Sequence, residues 1–209
     1  MQNMLENESI VLNATRIISA KPKKNDGLPG SSCLAVYSKK FLNNSGIKFV
    51  SERSIISEDI WFNMDCYIKA KKIAYSEIIG YCYRYNDTSL SRKYNPNRFN
   101  MLIESERMLL ERCSNDNLSE YEERVAIHFW SNFEKCLNQE VRYNDRPVEL
   151  IYRSIKNMCL NEYASVLIAV LCKKRLLVGS HQFLCLLSKR GMYLSIVLLL
   201  KLYNLTKRG

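Results

Sequence analysis

The sequence predicts a mixed α/β domain over residues 1–95, followed by an all-helical region over residues 96–209. Three observations divide the chain this way. Short apolar runs bounded by turn residues recur before Tyr94. A polar loop, Asn86-Asp-Thr-Ser-Leu-Ser-Arg92, and then Asn95-Pro96 interrupt the pattern. After Pro96 the apolar residues repeat only at helical spacing.

The first half reads in order as follows. A helical stretch is expected around Glu8 to Ala20, and Lys21-Pro-Lys-Lys-Asn-Asp-Gly-Leu-Pro-Gly30 reads as a loop. Cys33-Leu-Ala-Val-Tyr37 fits a strand or the start of a helix. Lys39 to Gly46 fits a short helix stopped by the glycine, and Ile47-Lys-Phe49 alternates like an edge strand. Ser57 is a suitable helix N-cap, with Glu58 and Asp59 in the first turn, where the helix dipole favours carboxylates. Ile60, Trp61, Met64, Tyr67 and Ile68 continue that helix toward Lys71-Lys72. Lys72 to Ser76 and Ile78 to Tyr85 read as strands.

In the second half, Pro96 suits a first helical position. Phe99, Leu102, Ile103, Leu109 and Leu110 mark one apolar face. Ser119-Glu-Tyr-Glu122 reads as a capping box ahead of a stripe of Tyr121, Val125, Phe129, Phe133 and Leu137. Asp145-Arg-Pro147 opens a helix carrying Val148, Ile151, Ile155 and Met158, and two or three helices follow.

Charge narrows the function classes. The net charge is +10, yet Met1 to Glu162 holds 23 basic against 21 acidic residues. Tyr163 to Gly209 holds 8 basic residues and no carboxylate. A basic, leucine-rich tail fits an anionic membrane surface better than nucleic acid, for which the nearly neutral stretch from Met1 to Glu162 offers no basic face. Eight cysteines occur without any CxxC pair, which suits buried thiols in a reducing compartment. No N-terminal apolar segment is expected to act as a signal, and the longest apolar runs, Ala164–Cys172 and Met192–Leu200, are short for a span. The expected location is cytoplasmic, with peripheral contact at the inner face of the plasma membrane.

Alone, Glu58-Asp59 reads as capping and dipole complementation, the usual role of two acids in a first helical turn. Its setting is more informative. Tyr37-Ser-Lys-Lys-Phe-Leu42, Gly46-Ile-Lys-Phe49, Ser57-Glu-Asp-Ile-Trp-Phe62, Tyr81-Cys-Tyr-Arg-Tyr85 and Ser89-Leu-Ser91 follow one another in fixed order. Over residues 30–95 this resembles the C-terminal half of bacterial family-2 glycosyltransferases. The resemblance implies a partial GT-A sheet with flanking helices, truncated at its N-terminus.

It also implies an activity: an inverting transfer of sugar from a nucleotide-sugar donor to a glycan or lipid-linked acceptor in polysaccharide synthesis. Asp59 would be the catalytic base, taking the proton of the attacking hydroxyl. Glu58 would orient the site or bind acceptor hydroxyls, and Trp61 would either stack on the acceptor or belong to the core. Arg92 and Lys93, beside Ser89 and Ser91, would bind the departing diphosphate. Arg84 would serve there or pair with Glu58 or Asp59.

The chain departs from the family in two respects. Cys33 and Ala35 stand where the family commonly has Trp and Lys, and no Asp-x-Asp occurs. The divalent Mn or Mg expected of the full enzyme therefore has no ligand motif here. A nucleotide-binding N-terminal half, supplied in trans, is the partner this implies. The rival expectation is a non-catalytic, membrane-surface or partner-binding remnant of such an enzyme. His128 and His181 are the only histidines and fall on different helices, which argues against a two-histidine metal site.

Overall fold

The structure, a computed structural model, describes residues 3–6, 10, 13–51, 53–76, 78, 80–84, 93–142 and 146–206, with side chains from residue 10 onward. The chain forms two compact units. One comprises Met1–Tyr85 with Glu104–Val125, and the other Asn86–Ile103 with Ala126–Gly209.

In the first unit, α1 (Lys39–Ser45) and α2 (Glu58–Lys69) are the complete helices among the described residues. α3 (Arg98–Asn115) contributes its residues from 104 on, and α4 (Tyr121–Arg142) its first residues. Helix α1 forms where Ser38 Oγ accepts a hydrogen bond from the Phe41 N–H, and it stops at Gly46, whose φ of 66° suits glycine.

Helix α2 is the organiser. Ile60, Met64 and Tyr67 lie at helical spacing and enter a core with Ile10, Ala14, Ile17, Ile18, Leu109, Cys113, Leu118 and Val125. Phe62 and Cys66, on another face, pack with Ile47 against Tyr37, Phe41 and Leu42. A helix clamped on two faces holds its first turn in place.

Among the described residues the expected partial GT-A sheet is absent. Among the described residues the only strand pairing is a two-stranded antiparallel ribbon, β1 (Asn3–Glu6) with β2 (Lys72–Tyr75), in register Asn3 to Tyr75 and Glu6 to Lys72. The chain is otherwise mostly helical, so the α/β expectation for residues 1–95 is overturned. The physical reason lies in the other two runs taken for strands. Phe49 stacks its ring on Phe62 at 3.8 Å rather than joining a ladder. Ile78, Tyr81 and Tyr83 are exposed, with no neighbouring strand among the described residues to cover a face.

Two caps also differ from expectation. Ser57 sits at φ 62° with no side-chain cap bond, and the Ile60 N–H is met by the Ser57 carbonyl at 2.9 Å. Helix α4 starts at Tyr121 behind Glu120 at φ 56°. Ser119 there accepts from Thr15 Oγ1 at 2.9 Å through its carbonyl.

The second unit is helical among the described residues: most of α4, then α5 (Val148–Leu160), α6 (Glu162–Lys174), α7 (Gly179–Lys189) and α8 (Tyr193–Thr206). Phe129, Trp130 and Phe133 of α4 are fully buried and meet edge and face, with Phe99 against Phe133. Asn161 Oδ1 accepts from the Ala164 N–H and caps α6. Neighbouring helices α6 and α7 pack together, and α8 packs on α5 and α7. Among the described residues no single helix is long and apolar enough to cross a membrane. The pair α5 and α6 reaches that length and apolarity only together, and it bends by 74° between them.

Candidate functional site

The loop over residues 21–30 is held by charge. Arg124, 1% exposed, donates from Nη2 to Asp26 Oδ2 at 2.7 Å and from Nη1 to Asp26 Oδ1 at 3.2 Å. Its Nη1 also donates to the Ser19 carbonyl at 2.8 Å. Hydrogen bonding from Arg124 holds the Asp26 carboxyl well below the usual carboxylate range. The Lys21 N–H donates to Asp26 Oδ1 at 3.0 Å, which closes the loop on itself.

That loop delivers Gly30, Ser31 and Ser32 to the start of α2. A Cβ at Gly30 would lie 2.6 Å from the Ile17 carbonyl oxygen, so only glycine lets the chain pass so close. The Gly30 carbonyl accepts from Asn63 Nδ2 at 2.7 Å, and Tyr37 OH donates to Asn63 Oδ1 at 2.6 Å. Asn63 follows Asp59 by one helical turn, on the same face of α2.

Asp59 stands at the first turn of α2 and is half-buried. Ser31 Oγ donates to its Oδ2 at 3.0 Å, and Ser32 Oγ donates to its Oδ1. A carboxylate has about four acceptor positions, and the two serines take one on each oxygen. The helix N-terminus favours its negative charge. The Tyr37 phenol is pushed up to about 12, by burial first and then by Cys66 and Asp59, so it remains a hydrogen-bond donor at neutral pH.

The sequence-predicted residues are distributed unevenly. Glu58, Asp59 and Trp61 share the first turn of α2. Glu58 is half-buried. Trp61 packs against the Ile17–Leu109 core, which favours its core role over acceptor stacking. Arg84 is exposed, and the described partners of Asp59 are serines rather than this arginine. Lys93 is exposed and belongs to the second unit, while Arg92, Ser89, Ser91 and Tyr85 lie outside the described residues.

Sequence reasoning missed two contributors. Ser31 and Ser32 look like loop residues, and no local pattern links them to a helix that starts well beyond them in the chain.

Among the described residues no three His, Cys, Asp or Glu side chains converge on a point that could hold a metal. His181 Nδ1 instead meets Glu134 Oε2 at 2.7 Å, and Glu134 Oε1 also accepts from Trp130 Nε1. Comparison with protein-family models, curated proteins and solved structures gives no match for this chain.

Proposed function

We propose that this chain supplies the acceptor side of a glycosyl-transfer site, with Asp59 as the general base. The observation that carries this reading is the Asp59 carboxylate, held by one serine hydroxyl on each oxygen and still partly exposed at the start of a clamped helix. Its remaining lone pairs face no donor among the described residues. An acceptor hydroxyl within hydrogen-bond reach would give its proton to Asp59 as its oxygen attacks the anomeric carbon. The glycosidic bond forms as the bond to the nucleoside diphosphate breaks, and attack from the opposite face inverts the centre. The donor and its departing diphosphate are held by another polypeptide segment.

The same serine bonds support a second, non-catalytic reading: Asp59 as a clamp that ties residues 31–32 to α2. Acceptor binding separates the two. Saturation-transfer NMR with a panel of mono- and disaccharides should detect a ligand for the wild-type chain. The Asp59→Asn variant, with an unchanged circular dichroism spectrum, should bind it more weakly. Absence of any saccharide contact, or equal contact in both proteins, refutes the acceptor reading and leaves the clamp.

A further inference from the structure

We propose that α8 is an interfacial helix that docks this protein on a bilayer rich in anionic phospholipid, an interaction independent of the Asp59 site. Tyr193, Ile196 and Val197 of α8 are buried against its neighbours. Leu194, Leu198, Leu202 and Leu205 are each more than half exposed. At 3.6 residues per turn these four leucines fall within about 80° of the helix circumference, opposite the buried side. A water-facing stripe of four leucines is a surface built to be covered.

Charge decides what covers it. Every ionisable lysine, arginine or carboxyl side chain from Tyr163 to Gly209 is a cation. Lys189 and Arg190, both exposed, stand just ahead of α8, and Lys201 flanks the leucine stripe. Beside the end of the stripe, Val141, Arg142, Lys201, Asn204 and Leu205 line a shallow groove that places two cations next to apolar walls. A phosphate headgroup above acyl chains matches that pairing of cation and hydrocarbon. A second copy does not, because a two-fold contact would set cations against cations with no carboxylate in this segment to pair them. With 14 residues, α8 is about 21 Å long against a hydrocarbon core of about 30 Å, so it lies in the interface rather than crossing it.

Flotation of the full chain with vesicles tests this. Binding is expected to vesicles of phosphatidylcholine carrying phosphatidylglycerol as the minor component, to weaken at high salt, and to be absent with phosphatidylcholine alone. The Leu198→Gln/Leu202→Gln variant should lower the partition coefficient more than tenfold. The Lys189→Gln/Arg190→Gln variant, which leaves every leucine in place, should lower it roughly fivefold per charge. Failure to float, or equal flotation with neutral vesicles, overturns the proposal. So does a monomer–dimer equilibrium in sedimentation velocity that the leucine variant shifts while flotation is unchanged, since a second copy would then be the occupant.

Discussion

Removing the Asp26 carboxylate should loosen the first unit by a predictable amount. Arg124 is 1% exposed, and two of its guanidinium hydrogen bonds end on Asp26. Stripping one partner from a buried ion pair costs roughly 3–5 kcal/mol, because the other charge is left in low dielectric. Here two partners remain, the Ser19 carbonyl at 2.8 Å and Glu120 Oε2 at 3.2 Å. The Asp26→Ala cost should therefore fall to about 2–3 kcal/mol. Hydrogen exchange reads this locally, which suits a chain of two units. Peptides covering α2 should lose roughly 30- to 150-fold in protection. The effect should also depend on pH. Because the folded Asp26 carboxyl is held below its ordinary value of 3.8, its contribution is complete above that value. It is lost as the pH falls below 3.8 toward the folded value. The gap between wild type and Asp26→Asn should close on acidification. A change under threefold, or a gap unchanged down to pH 2, refutes the reasoning.

Other consequences follow from the same geometry. Gly30→Ala drives a Cβ against the Ile17 carbonyl and should destabilise the first unit by about 1–3 kcal/mol, read as a lower urea midpoint in Trp61 fluorescence. Ser57→Val should cost about 1–2 kcal/mol more than Ser57→Gly in the same assay, because a β-branched residue tolerates φ 62° poorly. Equal effects would show that the backbone there relaxes. Thiol titration at pH 8 should find Cys33 and Cys82 fast and the other six slow. Burial covers those six, and it pushes Cys136 and Cys159 up to about 12. More than two fast thiols would contradict the described packing.

Periodicity made the helices legible. Ile60, Met64 and Tyr67, and the aromatic stripe of α4, bury the faces their spacing predicts. Gly46 and β2 also fall where the sequence places them. The sheet is less legible because an apolar run such as Ile78 to Tyr85 specifies a strand only if another strand pairs with it, and pairing is a long-range event. The ribbon partner of β2 lies far back in the chain, at Asn3–Glu6. Glu58 and Asp59 were legible as a helix start. The residues that make Asp59 a defined carboxylate were not, since Ser31, Ser32 and Asn63 meet it or its loop only after folding. Arg124, by sequence one cation among many on a long helix, becomes a buried clamp through tertiary contact alone.

The central claim is that Asp59 takes the acceptor proton. Its most direct measurement is sugar transfer from uridine-diphosphate sugars to saccharide and lipid-linked acceptors, with a donor-binding segment supplied in trans. Asp59→Asn should lower the transfer rate by about 10²–10⁴-fold, because the amide cannot accept the proton. Ser31→Ala/Ser32→Ala should lower it far less, since the base survives with looser aim. Transfer by Asp59→Asn at the wild-type rate, or no transfer by the wild-type chain with any such donor, would contradict the account.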